Sequence, residues 1–196
     1  MTAKSIKEGP LATAIQTEAL PVSNPVMEKI FREHYPMVIR AAYRVTGSMQ
    51  DAEDVAQTVF MRLLNRDNDE LASIDNAGAY LCRSAVNAAL DVLRHRKTAA
   101  QVELDEAQEL SQKPGPYLVG EDRVLSVEVH SWLRKALAEI NPRAAEMFVL
   151  RYVEEKSNKE VAQLMNTSQA VVAVMLHRTR ARLQKDFRAY QSGKGR

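Results

Sequence analysis

The chain has 196 residues, 45% of them hydrophobic and 27% charged, a composition ordinary for a globular protein and sufficient for one or two small domains. Its longest apolar run, Ala170 to Leu176, falls far short of the ~20 residues that span a bilayer, so no membrane insertion is expected, and its single cysteine, Cys82, excludes an internal disulfide or a multi-cysteine zinc site. Aromatic residues are only 6%, and the prevalence of Ala, Leu, Val, Met, Glu, Lys and Arg favours helix over strand, which predicts an all-α fold.

Residues 1–25 carry charges but lack the apolar stretch of about 7 to 15 residues that a signal peptide needs, so they read as a flexible tail and the chain is expected to stay in the cytoplasm. From Pro25 onward Ile30, Phe31, Val38, Ile39, Ala42 and Tyr43 recur at helical spacing, and Gly47 supplies a stop. Ser48 is placed to cap a second helix, with Asp51 in its first turn, and Ala52, Val55, Ala56, Val59, Phe60 and Leu63 keep the i, i+3, i+4 pattern. Residues 65–78, rich in Asn and Asp, read as a loop. A third helix, from about Ala77 to Lys97, turns Tyr80, Leu81, Ala85, Ala88 and Leu93 inward. With the first two it makes a small helical bundle, residues 26–97.

Residues 98–121 hold 1 basic against 5 acidic residues and contain Pro114, Gly115 and Pro116, so they read as an acidic linker. A second helical domain, residues 122–190, follows. Its first helix covers about residues 123–140, and Asn141 with Pro142 caps and opens the next, which runs to about Glu154. Ser157 and Glu160 form a capping box for a short helix. Asn166 suits a left-handed turn, and Thr167 or Ser168 can cap a long final helix to about Arg188.

That last helix carries the functional question, because "QAVVAVMLHRTRAR", residues 169–182, turns from an apolar run into alternating arginines. A buried helix, a membrane-surface helix and a DNA reader all fit such a stretch. A short helix with the small Ala162 in its middle, a three-residue turn and a longer arginine-bearing helix make a helix-turn-helix pattern. Residues 122–196 hold 14 basic against 8 acidic residues. The excess suits a polyanionic partner, and a solvated basic surface answers the charge equally well.

Enzymatic constellations are not found. His34, His95, His130 and His177 are isolated and lack the spacing of a zinc protease, and the seven glycines form no phosphate loop. Cys82 lies on the inner side of its helix and reads as core rather than nucleophile. No catalytic residue, metal, cofactor or small-molecule substrate is expected.

Three stretches, in order, resemble one family, the extracytoplasmic-function (ECF) sigma factors of bacterial RNA polymerase. "DAEDVAQTVFMRLL" resembles the family's core-polymerase-binding helix, "AYLCRSAVNAALDVLRHRK" its promoter-melting helix and "SNKEVAQLMNTSQAVVAVMLHRTRARL" its helix-turn-helix. The resemblance implies that Asp51, Glu53, Asp54, Gln57 and Phe60 dock on the clamp coiled coil of the polymerase's largest subunit. Read without it, an acidic first turn simply complements the helix dipole, worth about 0.3–1 kcal/mol per charge.

On the third helix Arg83, Asn87, Asp91 and Arg94 share one polar stripe. The resemblance implies that Asn87 helps hold a base flipped out of the minus-ten element, with residues 67–78 completing the pocket, and that Arg94, Arg96 and Lys97 neutralise phosphates. The plain alternative is a solvated face on which Arg83, Asp91 and Arg94 pair weakly with one another. Tyr80 stands where the family usually has tryptophan, and Val86 where it usually has arginine.

By the same resemblance Ser168, Gln169, Val171, Ala173, Val174, His177 and Arg178 face the minus-thirty-five element, while Val172, Leu176 and Leu183 face the core and Arg178, Arg180 and Arg182 reach phosphates. Ala173, Val174 and Met175 replace the lysine, serine and arginine usual on the exposed face. An apolar side chain touches a thymine methyl but cannot read a guanine edge. Either Gln169, His177 and Arg178 carry the readout, or the apolar patch binds a protein such as an anti-sigma factor. The implied function is promoter-specific transcription initiation with core RNA polymerase and promoter DNA as partners, the acidic linker passing near the active-site cleft. The alternatives from other classes are a stand-alone helix-turn-helix regulator and a sigma-like interaction module.

Overall fold

The computed structural model of the chain describes residues 25–65, 76–102 and 123–194. These form seven helices, and no strand occurs among them. The expected tail, most of the loop before the third helix and most of the acidic linker lie outside the described residues.

Helix α1 (Pro25–Thr46) stops at Gly47, whose φ of 71° is open to glycine at little cost and whose N–H donates to the Tyr43 carbonyl at 2.8 Å. Helix α2 (Met49–Leu64) starts where the Ser48 hydroxyl accepts from the Asp51 N–H at 3.3 Å. Asn76 does the same for α3 (Ala77–Val102), accepting from the Ala79 N–H at 2.8 Å. This third helix continues past Lys97 into the stretch expected to be linker, because Thr98, Ala99, Ala100 and Gln101 contain no helix breaker.

Helix α4 (Arg123–Glu139) leads to Asn141, whose side chain caps α5 (Pro142–Tyr152) by accepting from the Arg143 and Ala144 N–H groups, with Pro142 in the first turn. The turn out of α5 uses Glu155 in the left-handed region, φ 56°, a placement that nothing in its residue type announces. Ser157 and Glu160 form the full capping box of α6 (Asn158–Leu164), Asn166 turns the chain at φ 47°, and Ser168 caps α7 (Gln169–Lys194) by accepting from the Val171 N–H.

Val38, Val45, Val55, Leu63, Leu81 and Leu90 fill the space between α1, α2 and α3, and Met147, Leu150, Val161, Val172 and Leu176 fill that between α5, α6 and α7. Each such side chain, fully buried, contributes about 1.5–3 kcal/mol. The two groups belong to one continuous cluster, since α3 packs against α4, α5 and α6 as well as against α1 and α2. Helix α3 is therefore the wall shared by both halves. Met175, expected on the outer face of α7, is half-buried and packs against the core beside Val172 and Leu176.

Candidate nucleic-acid and polymerase interfaces

The five residues expected to meet polymerase divide into two sets on α2. Glu53, Asp54 and Gln57 are exposed along one side of the helix. Asp51 and Phe60 point inward: Asp51 is 9% exposed and its Oδ1 accepts from Arg96 Nη2 at 2.6 Å, while Phe60 packs edge-on against Phe31 at 4.8 Å between ring centroids. The resemblance did not separate them, but helical geometry does, because residues 51, 55, 59 and 63 share the core side. The exposed side continues into Met61 and Leu64, both more than half exposed, which the reading of the sequence had not singled out.

The stripe on α3 is drawn into contact with the helix-turn-helix domain. Arg83 Nε and Asn87 Nδ2 both donate to Glu146 Oε1, at 2.6 and 2.9 Å, and Arg83 Nη1 donates to the Leu164 carbonyl at 2.6 Å. Glu146 sits on α5 and is 7% exposed. Only Asp91 and Arg94 pair with each other, at 2.7 Å. The expected pairing of Arg83 within its own stripe is thus replaced by a partner on another helix, since a charge-assisted bond to a buried carboxylate outweighs a solvated pair. Arg96 is taken by Asp51, and Lys97 Nζ lies 3.3 Å from Glu139 Oε1. Tyr80 is half-buried against the core, and Val86 is fully buried, a position that an apolar side chain suits.

Other contacts extend the same seam. Arg44 donates to the Val153 carbonyl at 3.3 Å and pairs with Glu154 at 3.6 Å. The Arg134 guanidinium lies so close over Gly47 that a side chain there would collide with it, and burial draws its pKa below the usual arginine value. Cys82 is buried with its Sγ 3.9 Å from Glu154 Oε2, and burial first, with the Glu154 charge second, pushes the thiol up to about 11. Such a thiol is a poor nucleophile at neutral pH.

In the helix-turn-helix, Ala162 is 5% exposed where α6 meets α7, and its small side chain permits the close crossing. Ser168, Gln169, Val171, Ala173, Val174, His177 and Arg178 all lie on the exposed side of α7, with Val174 51% exposed. Lys159, Gln163, Asn166, Thr167 and Gln169 line a shallow cleft at the turn. Arg178 and Arg180 are exposed, and Arg182 pairs loosely with Asp186 at 3.6 Å. Among the described residues no helix is long and apolar enough to cross a membrane, and no group of metal-ligating side chains gathers.

A helical bundle packed against a helix-turn-helix whose last helix keeps Arg178 and Arg180 exposed defines a DNA-binding protein. The family model "Sigma-70 region 2" matches residues 30–99, and "Sigma-70, region 4" matches residues 130–183. The chain is 26% identical to the ECF RNA polymerase sigma factor SigW of Bacillus subtilis over 157 residues, covering 77% of this chain and 83% of that protein. It is 29% identical to the RNA polymerase sigma-E factor of Streptomyces avermitilis over 163 residues, covering 82% and 84%. Its fold is similar to that of the sigma factor RpoE in complex with the anti-sigma factor NepR from Bartonella quintana, with a TM-score of 0.51, 18% identity and coverage of 82% and 95%. A second similar fold is that of CnrH in complex with the cytosolic domain of CnrY, with a TM-score of 0.50, 21% identity and coverage of 85% and 90%.

The chain belongs to the ECF sigma factors. It directs promoter-specific transcription initiation by RNA polymerase.

Proposed function

We propose that the chain divides this task between three surfaces. The exposed side of α2, with Glu53, Asp54 and Gln57 and continuing into Met61 and Leu64, docks on core polymerase. Asp51 and Phe60 support that side from beneath, Asp51 by holding Arg96 and Phe60 by packing under α1. The observation that carries this assignment is the separation on α2 of a solvent-facing acidic and polar edge from a buried one. Asp54→Ala combined with Gln57→Ala weakens capture of core polymerase in a pull-down; unchanged capture would sink the docking assignment.

Arg83 and Asn87, with Asp91, Arg94, Arg96 and Lys97 beside them, read and hold the opened minus-ten element, the amide of Asn87 meeting a base edge and the cations meeting phosphates. The outer face of α7 meets the minus-thirty-five element. Ser168 and Gln169 stand at its N-terminus, Val171, Ala173 and Val174 offer contact to thymine methyl groups, and His177 and Arg178 supply the polar readout. The chain makes and breaks no covalent bond in this scheme and works in the cytoplasm, where the polymerase is. An anti-sigma factor is a candidate partner, because of two proteins of similar fold one is solved in complex with an anti-sigma factor and the other in complex with the cytosolic domain of CnrY. Run-off transcription of genomic fragments by core polymerase, with and without the chain, tests the reading. New start sites sharing two upstream elements are expected, whereas binding of duplex DNA by the chain alone, without new starts, would favour a stand-alone regulator.

A further inference from the structure

We propose that the last turns of α7, residues 184–194, form a second DNA-binding arm: Lys185 and Arg188 hold phosphates of the duplex that flanks the minus-thirty-five element, without reading its sequence. The inference rests on the reading of the outer face of α7 as the minus-thirty-five contact.

Helix α7 outruns the domain that it serves. Leu183 is its last buried residue, and the match to "Sigma-70, region 4" also stops at 183, yet the helix continues to Lys194. What holds the continuation is a set of rings. Phe187 lies 4.8 Å from Trp132 of α4 between ring centroids, and Tyr190 lies 6.4 Å from each of them. Ring pairs at such distances are attractive beyond the area they bury, and by turning Phe187 to α4 they fix the rotation of the turns beyond the core.

That rotation puts Lys185 and Arg188 in register with the reading face. Eleven residues, close to three full turns, separate Val174 from Lys185 and His177 from Arg188, so each cation stands on the same line of the helix as a residue turned to the minus-thirty-five element. The same spacing carries them ~17 Å further along the axis, more than the ~12 Å width of the major groove. A helix that sets Val174 and His177 against base edges therefore brings Lys185 and Arg188 past the groove, to the flanking backbone. Both are exposed, and among the described residues no carboxylate pairs with either: Asp186, the acid between them, lies 3.6 Å from Arg182. The cations of α3 are by contrast engaged, Arg83 with Glu146, Arg94 with Asp91, Arg96 with Asp51 and Lys97 with Glu139. An acidic protein would meet the same two charges, but their alignment with the reading residues favours DNA, whose phosphates repay such cations by releasing counterions.

The test uses holoenzyme assembled from core polymerase and the full chain, on a promoter fragment mapped by run-off transcription. Affinity is measured over a series of potassium chloride concentrations for the wild-type chain, for Lys185→Gln combined with Arg188→Gln, and for the charge-keeping Lys185→Arg combined with Arg188→Lys. In the neutral pair, binding is expected to weaken at least about 5-fold, and the slope of log affinity against log salt concentration to fall by about 2, with the preference for the mapped minus-thirty-five element over a scrambled one kept. The charge-keeping pair retains both affinity and slope. The fluorescence of Trp132, the one tryptophan of the chain, reports whether the rings stay packed. Should the neutral pair disturb them, Lys185→Gln alone carries the same readouts with a slope change of about 1. An unchanged affinity and slope overturns the arm. Weaker binding that comes with poorer capture of core polymerase in a pull-down also overturns it, because the surface then serves a protein. So does a changed preference for the minus-thirty-five element, because the two residues then read bases. His177→Ala combined with Arg178→Ala separates the causes. If that variant loses the preference while the neutral pair changes nothing, the reading of α7 stands and the arm alone has fallen; if it keeps the preference, or if no promoter is found to map, the reading has fallen and the arm with it.

Discussion

The two surfaces assigned to DNA are presented in opposite ways. On α7 every candidate residue faces solvent, and Ser168 is occupied only by capping its own helix. On α3, Arg83 and Asn87 are bound to a buried carboxylate from the other half of the chain. The cause is position in the fold. Helix α7 packs on α5 and α6 with one face and leaves the other open, whereas α3 is enclosed between α1 and α2 on one side and α4, α5 and α6 on the other. Equal polarity on two helices therefore does not mean equal access.

Removing the shared support has the largest expected effect. Leu150 is fully buried in α5, the helix that carries Glu146, and Leu150→Ala should cost about 2–5 kcal/mol in urea unfolding. A single transition is expected because the core is continuous; two separate transitions would show that the halves, and their DNA faces, are independent.

The faces themselves are distinguished by function. Asn87→Ala should lower open-complex formation about 10-fold or more while polymerase capture is unchanged, as expected for a lost base contact of roughly 1–3 kcal/mol. Loss of capture instead would reject that role. Arg180→Ala, which removes a phosphate contact, should weaken recruitment to all promoters similarly without altering strand opening once bound, followed by footprinting against potassium permanganate reactivity. A smaller effect, about 1 kcal/mol, is expected for Ser157→Ala, which removes the capping box of α6 and loosens the helix that offers its Leu164 carbonyl to Arg83. Thermal unfolding measures it.

Cys82 gives the finest probe of the covered side. Its thiol is raised from 9.0 to about 11, so the neutral form is the one the fold favours. That contribution to stability is complete below about pH 9 and is lost as pH rises through 11. At mildly alkaline pH iodoacetamide should label Cys82 slowly in the wild-type chain and faster in Glu146→Gln. Equal rates would mean that the seam is closed in both.

Much of the fold was legible because its signals are local. Gly47 ends α1, Ser48, Asn141, Ser157 with Glu160, and Ser168 cap their helices, and Asn166 takes the left-handed turn, each through atoms within a few residues of itself. Glu155 in the left-handed region escaped, since glutamate has no preference for it and the turn between α5 and α6 imposes it. The site was legible as a set of residue types and helix faces. Its partition was not. Asp51 reads as one acid among several, yet Arg96 from α3 claims it, and Met175 reads as exposed, yet the core draws it partly inward. Glu146 was visible only as a lone carboxylate in the apolar "AAEMFVL", a signal that says paired without saying to what.

The sequence by itself determined the helices, their caps, the helix-turn-helix and the family to which the chain belongs, because helical period, capping chemistry and motif order are written in neighbouring residues. Only the tertiary structure decided which of those polar faces are open, because access depends on what a distant segment places opposite. Arg83 and Asn87 meet Glu146 across about sixty residues of chain, and no local propensity encodes that meeting.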